Sequence, residues 1–393
     1  MEDLARWVAR LRTSRPLVDP AMLQWLWTAV TQPVLDELRF RTVAPGAKPP
    51  RIIWIPAGPL CHLPIHAAGV HASGSKETVM DRVISSFSPS LKAFLMARRL
   101  ARRDTRESEN LYSGQSALLI GAGEASARPG LGKLPFVARE IEDLTTICKS
   151  LNLNPVTLHD PTRAEALAQI SECAIMHFAG HGLTDPLEPS QSGLLMDDGI
   201  LAVSDLLDSR LQSRTPFLAF LSACLTGAND IDDLEDEGVN LTSACQLVGF
   251  NHVIGTLWQV SDRTCVEVSQ GLYTTLATEG MTSESVCRGL HGAVLRLRDS
   301  WVSDGGQTRG GGSVEAVSEE WSDDDDEDED EGEEDTGEDD EEAKSGVDSG
   351  CEPGGDEDEP SQFREAALRL KRRQKPVRNW VRADWIPYIH YGP

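Results

Sequence analysis

Apolar positions fall into two rhythms along this chain, and the change between them comes near residue 50. Before it, "DPAMLQWLWTAVTQPVLDELRF" sets Leu23, Leu26, Trp27, Val30, Val34, Leu35 and Leu38 at helical spacing. Residues 1–49 therefore read as a helical lead-in, which Pro33 should kink or divide because it has no N–H to give. After residue 50 come short runs that are apolar almost throughout, separated by amphipathic helices. "RIIWIP" and "RVISSFSPS" read as strands, followed by a helix in "SLKAFLMARRLARR" and a polar linker at about 103–115. From residue 116 strand and helix alternate. "SALLIGAG" is a strand, "PFVAREIEDLTTICKSL" a helix, "PVTLHD" a strand, and "TRAEALAQIS" a helix with Thr162 as its cap. "CAIMHFAGHG" is the next strand, and "GLLMDDGILAVSDLLD" a hairpin running into a helix. "PFLAFLSAC" and "HVIGTLWQVSD" are strands on either side of the helix "GVNLTSACQLVG", and two helices then cover about 262–299. Strands of this kind predict an α/β fold built on a mostly parallel sheet with both faces covered.

The pattern fails between residues 304 and 360. There 27 acidic residues stand against two basic ones, Arg309 and Lys344, so the segment carries −25 of the net −26. Such a tract buries too little apolar surface to offset the entropy of ordering it, and disorder is expected. Residues 361–393 regain pattern, with a helix in "SQFREAALRLKRRQ" and a closing strand in "WIPYIHYG". The tract is thus an insertion in the fold, and a solvated loop is its plainest reading. The rest of the chain is nearly neutral and shows no basic stripe, which argues against nucleic acid. No run is long enough to cross a bilayer, and the first residues lack a signal-peptide apolar core. Eight scattered cysteines without a CxxC pair suit free thiols in a reducing compartment. An intracellular, cytoplasmic protein without a membrane partner is expected.

Chemistry concentrates where two strands stop. His181 ends "IMHFAGHG", and Cys224, 43 residues later, ends "PFLAFLSAC". In an open parallel sheet the working site lies beyond the carboxyl ends of the strands. If these two strands are neighbours, roughly 5 Å apart, the imidazole can take the thiol proton. Backbone N–H groups of Gly182 and Cys224 are then candidates for an oxyanion hole. The plainer reading is that Cys224 is a buried apolar group, as is expected of Cys148 and Cys173. His177 and His181 are four apart, which on a helix would suit zinc. On a strand four residues span about 13 Å, too far for one ion, so no metal is expected and His177 becomes packing or support. "GAGEAS" has Gly121 and Gly123 but Ser126 at the third small position, a poor dinucleotide fingerprint, and no P-loop occurs. No cofactor is expected. Ser222 lies two residues short of the strand end, without the G-x-S-x-G elbow of a serine nucleophile.

Taken in order, "MHFAGHG" and "LSACLTG" resemble the CHAT domain, a branch of the caspase–separase group of cysteine peptidases. "WIPAGPLCHLPIHAAG", "LPFVAREIEDL", "GVNLTSACQLVGFNHVIGTLWQVSD" and "WIPYIHYG" resemble further stretches of that family, over about 50–300 and 376–393. The resemblance implies a caspase-like α/β/α sandwich with its catalytic core at 116–303. A degenerate caspase-like unit, as in separase, would occupy 50–115. It further implies a peptidase acting on a protein substrate, with His181 as general base and Cys224 as nucleophile. "WQVSD" is similar to a segment lining the pocket for the residue before the cut, which points to Trp258 and Asp262. Asp262 would select Lys or Arg there, or else cap the next helix. CHAT domains commonly follow helical repeats or receptor modules and act in cell death or defence signalling, so an upstream sensor protein is expected. A second class of function stays open: a catalytically silent scaffold that uses the same fold for assembly.

Overall fold

The computed structural model describes residues 2–14, 17–44, 46–104, 112–123, 133–183, 185, 188–208, 216–223, 241–305 and 381–393. Cys224, the acidic segment beyond Gly305 and the expected helix at 361–374 lie outside the described residues.

The lead-in consists of α1 (Glu2–Ser14), β1 (Leu17–Val18), α2 (Pro20–Leu26) and α3 (Gln32–Glu37). Between α2 and α3 one π-helical turn covers Trp27–Thr31. Pro33 is the cause, since it cannot donate to the carbonyl one turn back and its ring needs space there. Then follow β2 (Arg51–Trp54), β3 (Ile84–Phe87), α4 (Leu91–Asp104), β4 (Ser116–Gly121), α5 (Val137–Ser150), β5 (Asn154–His159) and α6 (Arg163–Ile170). Helix α6 starts on the expected Thr162, whose hydroxyl accepts from the Glu165 N–H while the Glu165 carboxylate accepts from the Thr162 N–H. The chain continues through β6 (Cys173–Ala179), β7 (Gly182–Leu183), β8 (Gly193–Met196), β9 (Gly199–Ala202), α7 (Val203–Asp208), β10 (Leu218–Ser222), α8 (Leu241–Val248) and β11 (His252–Thr256). Two long helices, α9 (Asp262–Glu279) and α10 (Ser283–Ser303), precede β12 (Val381–Arg382) and β13 (Tyr388–Tyr391).

Eight strands form one sheet in the order β2-β3-β13-β11-β10-β6-β4-β5. Every neighbouring pair is parallel except β11 with β13. The sheet is thus two parallel blocks running in opposite directions, joined at one antiparallel seam. Residues 51–87 contribute β2 and β3 to its outer edge. Alternation along the strands divides the core. Ile175, Ala179, Leu218 and Phe220 belong to the core that also takes in α5, α9 and the lead-in, while Met176, Phe178, Ala219 and Leu221 belong to the one that takes in α6, α7 and α8. This is the α/β/α arrangement that the apolar strands imply. One pairing has no sequence signal: β1 joins β12 antiparallel, tying the lead-in to the segment that precedes the closing strand.

The antiparallel seam is closed by buried and half-buried polar side chains. Arg51 Nε donates to Ser86 Oγ (3.0 Å), which lies 2.9 Å from His390 Nδ1. His390 Nε2 is 3.0 Å from His252 Nδ1, and His252 Nε2 is 3.1 Å from Ser283 Oγ. Passing one proton along each contact in that direction satisfies the whole chain with both imidazoles neutral. Gly392 makes room for the ring pair, since a Cβ there would lie 2.6 Å from His252 Nδ1. Burial, with the Arg51 charge adding to it, holds His252 down at about 3 and His390 well below its usual range. Burial brings His66 and His71 down to about 4, with the Arg298 charge adding to it at His71. An unfolded chain takes up these protons near pH 6.5 and the folded one only near 4 or below, so stability present above pH 6.5 is lost as pH falls. Each such histidine contributes a slope of about 1.4 kcal/mol per pH unit in that window. The urea midpoint is therefore expected to drop steeply between pH 6.5 and 5, above the range where carboxylates titrate. A midpoint unchanged over that interval would show that the folded state takes up protons as readily as the unfolded one.

Candidate active site

The parallel ladder between β6 and β10 pairs Leu218 with Ile175 and, at its far end, Ser222 with Ala179. His181 and Cys224 are each two residues beyond that last pair. The strands that carry the two candidates are neighbours in register, as the sequence reading requires, and both run toward the same edge. Beyond the ladder the Gly180 N–H donates to the Ser222 carbonyl (3.2 Å), and the Ala122 N–H donates to the Ala179 carbonyl (2.9 Å). From the other side, the Thr256 hydroxyl at the end of β11 donates to the Ala223 carbonyl (2.8 Å). The backbone leading into Cys224 is thus held by both neighbouring strands.

His181 is 7% exposed, and its carbonyl accepts from the Leu195 N–H (2.9 Å). Because that bond flanks the opposed pair Gly182–Leu194, the pair is of the non-hydrogen-bonded kind. The Gly182 N–H therefore points away from β8, leaving its donor unused by the ladder. Gly180 has to be glycine for packing: a Cβ would lie 2.7 Å from Phe178 Cζ and 2.9 Å from Ala122 Cβ.

At the carboxyl ends of β6, β10 and β11 a crevice opens between the first turns of α5 and α9. It is lined by Leu134, Val137, Glu140, Gly180, Ser222, Ala223, Thr256, Val260, Asp262 and Cys265. Of the two residues expected at a substrate pocket, Asp262 lines this crevice, whereas Trp258 lies in the core at 1% exposure. Asp262 is not the cap of α9. Ser261 has that role, accepting from the Thr264 N–H (3.3 Å), and Asp262 Oδ2 accepts from the Phe136 N–H at the start of α5 (3.0 Å). Asp262 thereby joins the two helices that form the crevice walls.

Glu140 is the residue that sequence reading passed over. It is 2% exposed, on the stripe Val137, Glu140, Ile141, Leu144 and Cys148 that α5 turns to the sheet. A carboxylate standing on an otherwise apolar stripe was the available signal. His177 Nε2 lies 3.1 Å from Glu140 Oε1, and the Ser222 hydroxyl donates to Oε2 (3.2 Å). Tyr273 of α9 places its hydroxyl 3.4 Å from His177 Nδ1, and the His177 ring stacks on Phe220 with centroids 4.9 Å apart. His177 is thus a fully buried support residue. Three other thiols fit the inert reading: Cys148, Cys173 and Cys245 are buried, and burial pushes each up to about 12. Among the described residues no cluster of three or more His, Cys, Asp or Glu could hold a metal ion, and no helix is long and apolar enough to cross a membrane.

The chain matches the CHAT domain over residues 20–309. It belongs to the CHAT-domain family. No curated protein matches it. Solved structures similar to it include separase of Saccharomyces cerevisiae in complex with securin, at 13% identity and a TM-score of 0.41. That match covers 66% of this chain and 16% of the separase chain. Another is the complex of the pro- and mature domains of Porphyromonas gingivalis RgpB, at 14% identity and a TM-score of 0.44, covering 77% and 73% of the two chains. The CHAT-domain chain described here thus spans a small part of the separase length.

Gly180→Ala is expected to destabilise this CHAT domain by about 1–3 kcal/mol, since the added methyl must displace Phe178 or Ala122 in a packed layer. Denaturant unfolding measures it, and an unchanged midpoint would mean that the strand end moves freely.

Proposed function

We propose that this chain is a cysteine endopeptidase that cuts a protein partner at restricted sites, with His181 as general base and Cys224 as nucleophile. The supporting observation is the in-register parallel pairing of β6 with β10, whose last pair, Ala179–Ser222, precedes both residues by two positions. In this reading the His181 imidazole takes the thiol proton and the thiolate sulfur attacks the scissile carbonyl carbon. The oxyanion formed is met by the N–H groups of Gly182 and Cys224, the first of which the ladder leaves unused. Collapse expels the amine, which takes the proton from the imidazolium and leaves a thioester on Cys224. Water, deprotonated by His181, adds to the thioester, and the acid product departs as the thiol regains its proton.

Asp262 is the residue proposed to choose the substrate. Among the described residues, the lining of the crevice beside the strand ends has two carboxylates, Asp262 and Glu140, and no basic residue. That balance suits a Lys or Arg side chain before the cut. The proposed setting is cytoplasmic, in regulated cell death or defence signalling downstream of a sensor protein. It rests on membership of the family.

The test is the rate of Cys224 alkylation against pH, in wild type and His181→Ala, read by peptide mass mapping. Cys224 should react well below the pH of a free thiol, about 8.5, and lose that advantage without His181. A Cys224 no faster than the buried Cys148 would sink the peptidase and leave the silent scaffold. For selectivity, Asp262→Asn is expected to lower kcat/KM on substrates with a basic residue before the cut by about tenfold or more, with neutral ones less affected. An equal loss on both would remove Asp262 from the pocket.

A further inference from the structure

Beneath the proposed site lies a polar chain that no step of the reaction uses, and buried polar groups are costly to keep. Tyr273 from α9, His177 from β6, Glu140 from α5 and Ser222 from β10 are joined by contacts of 3.4, 3.1 and 3.2 Å. All four side chains are buried, Ser222 being the most accessible at 5%. Glu140 uses one oxygen on each strand: Oε1 toward β6, Oε2 toward β10. It is therefore a clamp across the two strands that carry His181 and Cys224, reaching His177 on β6 and the last ladder residue, Ser222, on β10.

We propose that Glu140 is a positioning residue for the reaction. Resting on the peptidase reading above, the inference is that Glu140, through Ser222, sets where the backbone of β10 delivers the Cys224 sulfur relative to the imidazole. The reasoning is geometric. Ser222 is the last residue of β10 and the final one in register with β6, so a small rotation there is carried two residues on to the thiol. The Ala223 carbonyl is held by Thr256 and the Ser222 carbonyl by Gly180, and the Ser222 side chain on Glu140 is a further hold on the backbone there. Glu140 in turn cannot swing, because His177 is stacked on Phe220 and set edge-on to Tyr273. The titratable groups around it include His177 from β6, Tyr273 from α9 and Tyr388 from β13, with Asp262 and Cys265 of α9 lining the same crevice.

The experiment compares wild type, Ser222→Ala, Ser222→Thr and Glu140→Gln in the full chain, each first shown by circular dichroism and denaturant unfolding to be folded. Ser222→Ala removes the contact without touching the buried Glu140–His177 pair, so it remains readable even if Glu140→Gln fails to fold. Expected are an alkylation rate for Cys224 lowered by about tenfold at pH 7 and a midpoint displaced toward that of a free thiol, about 8.5. On a peptide substrate kcat should fall with KM nearly unchanged, and Ser222→Thr, which keeps the hydroxyl, should restore both readouts. A merely structural role would lower the unfolding midpoint and leave the pH profile in place. Folded Ser222→Ala protein with the wild-type profile and kcat overturns the positioning role while the dyad stands. A wild-type Cys224 without any His181-dependent advantage overturns the dyad, and the positioning role with it.

Discussion

The parallel ladder between β6 and β10 is the constraint on which the rest of the molecule turns, because it is the contact that brings two distant stretches of chain to one edge of the sheet. Parallel neighbours cannot be joined by a short turn, so the chain must leave the sheet, cross a face and return. Here that crossing takes in the hairpin β8–β9 and helix α7, and it leaves the two strand ends side by side at one edge. A one-residue slip in this ladder would turn every inward side chain of β10 to the opposite face. Buried apolar residues on both faces, Phe220 on one and Leu221 on the other, hold against that slip, and so does Ser222 reaching Glu140.

Polar side chains are placed in this core where two directions of chain must be reconciled. At the antiparallel seam the run from Arg51 to Ser283 joins β2, β3, β13 and β11 to the head of α10. Near the other end of α10, Arg298 pairs with Asp81 at 3.0 Å, both nearly buried. The Thr78 hydroxyl donates to the same carboxylate (2.6 Å), and these contacts hold Asp81 below the usual carboxylate range against its burial. Removing one partner from such sites leaves a stranded buried charge or donor, which costs far more than the pair contributes when intact. The arrangement thus specifies which elements meet, more than it adds to stability.

Under the proposed site the same device is used once more. Glu140 and His177 are buried, carry no part of the proposed bond-making, and connect α5, α9, β6 and β10. Asp262 works at the mouth in a similar way, tying the start of α9 to the start of α5 while it remains part of the crevice wall. Carboxylates in this molecule therefore have two settings. Those in the body, 36 in number, are balanced by 35 basic residues, while the long acidic segment holds nearly all the excess charge.

Much of this was legible in the one-dimensional pattern. Continuous apolar runs such as "AIMHFA" and "LAFLS", too short for helices and followed by small residues, read as strands covered on both faces, and Thr162 with Glu165 marks a helix start through chemistry local to four residues. His181 and Cys224 stood out because each ends such a run. The order of the strands was not legible, nor was the reversal at β13, since hydrogen-bond partners across a sheet leave no mark in local periodicity. The pairing of β1 with β12 joins residues more than 360 positions apart, and two-residue strands carry too few side chains to show a period. Glu140 was hidden for a related reason. On α5 alone only its place on an apolar stripe sets it apart, and its meaning depends on His177 and Ser222 arriving opposite it. Trp258, expected at the pocket, went to the core because β11 ends at Thr256 and the turn that follows carries the indole inward. Sequence determined the elements and the candidate pair of reactive residues, since these follow from local propensity and side-chain chemistry. Tertiary structure decided which strand ends meet and which polar groups support them, because those follow from long-range packing.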